Sequence, residues 1–284
     1  MNNSIYPCIW CDNNAREMAD FYNSVFPETH LLEENPVVVM LEMFGQKLML
    51  LNGGDIFRPT PSISLMFLTM SETEVAEIWQ RLSVDGMMMM PLDSYPFSPQ
   101  YGWVEDKYGV SWQLYTAKDP NHIVQKIVPT LMFTGALNGR ATEAAELYTS
   151  LFPHSAIRGI MHYDAQSGEP VTSVQHGEFT IDNYLLMMMD SGYDHQFNCT
   201  EGLSLVVECN DQQEIDSYWN TLTSNGGEES QCGWLKDRYG ISWQIVPNQL
   251  AKWMEMSPKV MEIVLTMNKL DINRLQEAAK QVEP

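Results

Sequence analysis

Apolar positions along the first part of the chain change period in a way that spells out alternating strands and helices. Ile5-Tyr6-Pro7-Cys8-Ile9-Trp10 is a short apolar run closed by Asp12-Asn13-Asn14, as a buried strand is closed by a turn. Met18, Phe21, Tyr22 and Val25 then fall at i, i+3, i+4 and i+7, which predicts a helix over 15–25 with one buried face, capped by Asn13 or Asn14. Phe26-Pro27 ends it. Residues 37–43 and 46–51 predict a hairpin around Phe44-Gly45, and 62–68 a further strand. Ser71 with Glu74 three residues on is a capping-box pattern that opens a helix to about Val84, which Asp85-Gly86 stops.

The chain then reaches a segment that it writes twice. Tyr101-Gly102-Trp103-Val104-Glu105-Asp106-Lys107-Tyr108-Gly109-Val110-Ser111-Trp112-Gln113-Leu114 recurs as Cys232-Gly233-Trp234-Leu235-Lys236-Asp237-Arg238-Tyr239-Gly240-Ile241-Ser242-Trp243-Gln244-Ile245, a shift of 131 (234 − 103). Each copy predicts strand, tight turn, strand, with Asp-x-Tyr-Gly as the turn and Gly in its positive-φ position.

Earlier elements repeat as well. Residues 128–133 predict a strand, 142–151 a helix ended by Phe152-Pro153, and 173–180 with 183–189 a hairpin. Ser204-Leu205-Val206-Val207-Glu208 matches Ser64-Leu65-Met66-Phe67-Leu68 at a shift of 140 (204 − 64). The extra length in the first copy lies in 87–100, where Met87-Met88-Met89-Met90 reads as a strand start and loop. Changing shifts between matching elements describe a duplicated fold with loop insertions, each unit running close to β-α-β-β-β-α-β-β. The expected division is a module over 1–116, a linker over 117–126, a module over 127–247 and a helical extension over 248–284. That extension is expected as helices from about Asn248 to Met254 and from Pro258 to Ala279, packing across the pair.

Composition narrows the partners. The 284 residues carry a formal net charge of −21, which repels phosphate backbones and anionic bilayers and excludes nucleic acid and membrane surfaces as expected partners. No apolar stretch reaches the ~20 residues of a membrane span, and Met1-Asn2-Asn3-Ser4 lacks the basic start of a secretory leader. Five scattered cysteines read as reduced thiols, so a cytoplasmic location is expected. Cys8 and Cys11 sit three apart on a strand and so point to opposite faces, which argues against a redox pair.

Two modules that end in Gly-Trp-x-x-Asp-x-Tyr-Gly-x-Ser-Trp-Gln resemble the PhnB-like branch of the glyoxalase/bleomycin-resistance (vicinal oxygen chelate) superfamily. Pro7…Phe21-Tyr22…Phe26-Pro27 and Pro129…Glu143…Tyr148…Phe152-Pro153 carry the same resemblance, as does Met267-Asn268-Lys269-Leu270-Asp271-Ile272 in the tail. It implies an α+β fold of two tandem βαβββ-type modules with curved, mainly antiparallel sheets around cavities, followed by a helical tail. It also implies metal ligands on the first and last strands of each module. Those positions hold Gln113, Gln244, Ile5, and Ile127 or Val128. Two neutral amides and aliphatic side chains offer a divalent ion no charge, so no metal and no other cofactor is expected.

The resemblance and residues together predict a small-molecule-binding protein of unidentified ligand. The alternative is an enzyme: a metal-dependent lyase, isomerase or dioxygenase with ligands elsewhere, such as Glu42, Glu178 or His176, or a methyltransferase as relatives are labelled. No strand with a Gly-rich turn and helix supports the latter. Gln113 and Gln244 are the leading cavity candidates, either touching ligand or bonding neighbouring strands. Trp10, Tyr101, Trp103, Trp234 and Phe97 are candidate aromatic walls, each also explicable as core, and His176 is a candidate on the second hairpin. Catalytic residues are not assigned. Since relatives with one module pair two chains, this chain is expected to be a monomer with an internal pseudo-dimer, or a homodimer.

Overall fold

The structure, a computed structural model, describes residues 4–281; residues 1–3, on which the leader reading partly rests, lie outside them. Its described residues form two compact units, 7–203 and 204–281 with 4–6. To the end of the first unit the chain runs β1 (Ile5–Cys11), α1 (Ala15–Val25), β2 (Thr29–Glu34), β3 (Val38–Met43), β4 (Gln46–Asn52), β5 (Ile63–Thr69), α2 (Glu72–Leu82), β6 (Met87–Tyr95), β7 (Ser98–Glu105) and β8 (Ser111–Thr116). It continues with β9 (Ile127–Thr134), α3 (Ala141–Leu151), β10 (Ala156–His162), β11 (Val174–Ile181) and β12 (Tyr184–Ser191).

An eight-stranded sheet, in the order β10-β11-β12-β9-β5-β8-β7-β6, lies within this unit. The ladders β12–β9 and β5–β8 are parallel, and the other five are antiparallel. The sheet is therefore α+β in character, mixed and mainly antiparallel, as the resemblance implied. At its centre β5 pairs with β9, joining the later strands of the first repeat to the earlier strands of the second. Repeats and compact units consequently divide the chain at different places. In the same unit β1 pairs with β4 in parallel, and β4 and β2 flank β3 antiparallel.

Helices cover one face of the eight-stranded sheet. Tyr148 of α3 stacks on Phe179 of β11 with ring centroids 6.0 Å apart. A Cβ added at Gly102 of β7 would come 2.5 Å from the Trp79 ring of α2, so only glycine lets that helix approach so closely. Strand alternation turns Tyr101, Trp103 and Gln113 to the opposite, helix-free face.

The repeated motif folds alike in both copies. Asp106 Oδ1 accepts the amides of Tyr108 and Val110 at 2.9 and 3.1 Å, while Oδ2 accepts the Trp112 indole at 3.0 Å and the Tyr22 hydroxyl at 2.8 Å. Asp237 does the same for Tyr239, Ile241 and Trp243. Gly109 and Gly240 take φ of 83° and 76°, as their place in the turn demands.

Several elements differ from the sequence expectation. β2 and β10 were not anticipated, because they are edge strands with almost no buried face and so lack an alternating pattern. Residues 87–95 form a full edge strand rather than a strand start and loop, with three register shifts against β7 that break its period. Neither Asn13 nor Asn14 caps α1; its first amide, Ala15, donates to Asn52 Oδ1 of β4 at 2.9 Å. Ser71 does accept the Glu74 amide at 3.2 Å, but the Glu74 carboxylate takes the Thr69 hydroxyl proton instead of closing the box.

The second unit contains β13 (Leu203–Cys209), α4 (Gln212–Leu222), β14 (Glu228–Glu229), β15 (Trp234–Lys236) and β16 (Ser242–Pro247). β13 and β16 pair in parallel, and β15 lies antiparallel between β16 and β14. The tail holds α5 (Leu250–Met256), α6 (Pro258–Val264) and α7 (Ile272–Lys280), so the long helix expected from Pro258 is two helices. Asp271 restarts the second by accepting the Arg274 amide at 3.0 Å. No helix among the described residues is long and apolar enough to cross a membrane.

Candidate functional site

The helix-free face of the eight-stranded sheet gathers Tyr101, Trp103, Gln113 and His176, four of the eight sequence candidates. Tyr101 donates its hydroxyl to Gln113 Oε1 at 2.7 Å, and Gln113 Nε2 donates to Ser64 Oγ at 2.7 Å. Trp103 sits opposite Gln113 in register and donates its indole to Ser111 Oγ at 2.6 Å. Burial pushes the Tyr101 hydroxyl well above its ordinary titration range, which keeps it a donor. Around this relay the face is apolar: Tyr101, Trp103 and Met132 form one buried cluster, and Met66, Val128, Leu185 and Met187 belong to another. His176 lies several strands away on β11, where its Nε2 is 3.5 Å from the Glu178 carboxylate. That hydrogen bond holds the Glu178 carboxyl below its ordinary range.

An irregular loop over 192–201 covers the Tyr101–Trp103–Met132 part of the face. Phe197 packs on the Tyr101–Trp103–Met132 cluster, its carbonyl accepts the Thr134 hydroxyl at 3.3 Å, and its ring stacks on His195 at 5.0 Å. His195 Nε2 is 2.7 Å from Ser191 Oγ. No other group among the described residues hydrogen-bonds this imidazole, so the pair lacks the orienting third member of a nucleophilic triad and serves to anchor the loop.

The other candidates lie elsewhere. Gln244 repeats the strand cross-link in the second unit, donating to Ser204 Oγ at 3.0 Å, with Trp234 opposite it in register. Trp10 lines a half-open cavity of about 480 Å³ in the first unit. Its indole donates to the Gly54 carbonyl at 2.8 Å and meets the Phe57 ring edge-on at 5.0 Å. Phe97 and Tyr95 stack beside Tyr101 at the rim of the covered face. Sequence reasoning missed Ser64, Phe197 and the cavity residues Arg58 and Glu105. Ser64 was within reach, since it recurs as Ser204 at the shift already seen; Phe197 and Arg58 sit in loops that carry no period.

The positions where the resemblance places metal ligands do not suit a divalent ion. Gln113, Met66 and Val128 stand side by side across β8, β5 and β9, and the one amide oxygen among them already accepts the Tyr101 hydroxyl. An amide, a thioether and an isopropyl group supply neither charge nor enough hard donors. Glu178 and His176 pair with one another, whereas Glu42 sits on β3 opposite Lys47. No group of three or more His, Cys, Asp or Glu side chains among the described residues is placed to hold a metal.

Comparison with known proteins places these modules. The family described as 3-demethylubiquinone-9 3-methyltransferase matches residues 3–115 and 125–246. No curated protein matches the chain. Among solved structures, glyoxalase I from Zea mays superposes with a TM-score of 0.57 at 11% identity, covering 86% of this chain and 94% of that one. A PhnB protein from Bacillus cereus, described as a candidate 3-demethylubiquinone-9 3-methyltransferase, is 33% identical over 38% of this chain and 95% of its own, with a TM-score of 0.35. A glyoxalase-related enzyme from Fulvimarina pelagi is 22% identical over 38% of this chain and 84% of its own, with a TM-score of 0.31. With both repeats matched from first strand to last, the chain belongs to the PhnB-like 3-demethylubiquinone-9 3-methyltransferase family, as a tandem two-module member that shares the fold of glyoxalase I.

Proposed function

We propose that this protein binds a small, largely apolar molecule on the helix-free face of its eight-stranded sheet, without a divalent metal. The observation that carries this reading is the Tyr101–Gln113–Ser64 relay, a buried polar line set into a face of aromatic and methionine side chains. Apolar walls with a few convergent polar groups are how proteins hold and orient small ligands. Gln113 keeps one amide hydrogen and one lone pair beyond the two bonds it makes, so it can still give or take a hydrogen bond from a ligand carbonyl or hydroxyl. Methionines supply adaptable packing. Phe197 occupies the face in this state, so entry requires the 192–201 loop to lift. Methyl transfer, which the family label names, finds no strand, Gly-rich turn and helix in this chain to cradle a nucleotide-like donor.

A thermal-shift screen of aromatic compounds bearing one carbonyl or hydroxyl tests the reading. At least one compound should stabilise the wild type and bind at least tenfold more weakly to Gln113→Leu, the ~1.4 kcal/mol expected of one lost hydrogen bond. Binders indifferent to Gln113→Leu would refute the site.

A further inference from the structure

The cavity at Trp10 lies apart from the Gln113 relay and shares no residue with it. We propose that it is a second ligand site, and that it takes an organic cation: a primary or quaternary ammonium carried on an apolar body.

Its walls are built rather than incidental. Segments 10–18, 55–59, 85–87 and 105–109 enclose about 480 Å³, within the range of small-molecule sites. The loop after β4 is seated by two close approaches that only glycine permits. A Cβ at Gly53 would lie 2.0 Å from the Trp10 indole, and one at Gly202 would lie 2.0 Å from the Arg58 carbonyl carbon. The same loop is tied at Thr60, which donates to the Asn198 carbonyl at 2.8 Å, and at Arg58, whose carbonyl accepts the Thr200 hydroxyl at 2.6 Å. A wall fixed this way need not be ordered when a ligand arrives.

Charge and surface select the ligand. Asp12, Asp55, Asp85 and Glu105 line the cavity, and none of these carboxylates makes an ion pair or hydrogen bond among the described residues. Asp106 is already spent on two amides, an indole and a hydroxyl. Against the four stand two cations. The Lys107 ammonium lies 3.7 Å from Glu17 and under 5 Å from the Phe21 and Tyr108 ring centres, at 4.9 and 4.8 Å. That leaves the exposed Arg58 alone. Glu105 is the half-buried member, and burial together with Asp106 raises its carboxyl above the ordinary range. A half-buried carboxylate without a counter-ion gains most from an arriving ammonium. Trp10, Phe57 and Tyr108 supply ring surface, which suits an alkylated ammonium by cation–π attraction and apolar contact.

Isothermal titration of the full chain with benzyltrimethylammonium, and with phenylacetate as its anionic counterpart, tests the proposal. Benzyltrimethylammonium should bind saturably at one equivalent, at least tenfold tighter than phenylacetate, and Glu105→Gln should weaken it at least fivefold. Glu105→Gln removes a charge that burial and Asp106 disfavour, from a side chain that makes no hydrogen bond or ion pair among the described residues, so its thermal midpoint should be no lower than the wild type's. Phenylacetate binding as tightly, no saturable binding of the cation at millimolar concentration, or a cation isotherm unchanged in Glu105→Gln would each overturn the proposal.

Discussion

At the scale of single residues, Asp106 and Asp237 account for the motif that the chain repeats. Each spends one carboxylate oxygen on two turn amides and the other on a fully buried tryptophan indole. The Asp-x-Tyr-Gly-x-Ser-Trp spacing therefore records a folding device rather than a reaction. Asp106→Asn keeps an oxygen for the amides but turns an NH₂ toward the Trp112 indole and the Tyr22 hydroxyl, leaving a buried donor without an acceptor. It should cost about 2 kcal/mol in urea denaturation. Burial is the main cause that raises the Asp106 carboxyl, so the folded protein holds this proton more firmly than the unfolded chain does. The stability gained from that is complete below the ordinary carboxylate range and is lost as pH rises through the raised value. Asn cannot titrate, so the gap between wild type and Asp106→Asn should be wider at pH 4 than at pH 7. A gap that widens toward pH 7 would contradict the sign. Gly53→Ala is the steric counterpart: its methyl would enter the Trp10 ring, and about 1–3 kcal/mol of overpacking cost is expected in the same assay.

At the scale of elements, the first helix of each repeat borrows its cap from the end of a strand far along the chain. Asn52 Oδ1 accepts the Ala15 amide, and Asp190 Oδ1 accepts the amides of Gly139 and Ala141 at 2.8 and 3.2 Å. Asn52→Ala should cost about 1 kcal/mol and speed hydrogen exchange at the start of α1, while α2, capped by Ser71, keeps its protection. Equal loss in both helices would mean that the cap is not the cause. The helix itself was legible because its apolar stripe is local; its cap was not, because the partner is 37 residues away. The same distinction runs through the fold. Buried strands such as β5 announce themselves by continuous apolar runs, whereas the edge strands β2 and β10 have no buried side to leave a pattern. Gln113 and Gln244 were legible as repeated inward polar residues. That both first reach a strand serine, and that only Gln113 stands beside a buried tyrosine hydroxyl, needed the parallel ladders β5–β8 and β13–β16. Of the Trp10 cavity only Trp10 itself was legible, as a candidate aromatic wall; the rest was not, since four distant segments make it.

At the scale of the whole chain, the tail shows how a duplicated sequence can be completed differently in its two copies. Gly102 of the first motif lies against Trp79 of α2, while its counterpart Gly233, at φ 85°, lies within 3.2 Å of Leu270 in the tail when a Cβ is added. Next to it, the Cys232 amide donates to the Met267 carbonyl at 2.7 Å and the Gly233 amide to the Asn268 carbonyl at 2.8 Å. Gln212 of α4 completes the clasp, giving a bond to the Leu270 carbonyl at 3.1 Å and taking one from the Ile272 amide at 2.9 Å. Leu270 is fully buried within a cluster that also holds Trp253, Val260 and Leu275. The segment between α6 and α7 is thus bonded into the second unit's own motif, which is why the helix expected to run through it breaks. Leu270→Ala should then destabilise by about 3 kcal/mol, the cost of a large-to-small change in a closed core. Leu265→Ala, five residues earlier and 55% exposed, should stay within about 0.5 kcal/mol of wild type. A tail that merely rests on the surface would make both substitutions equally mild, and urea midpoints of the two variants measured side by side decide between the cases.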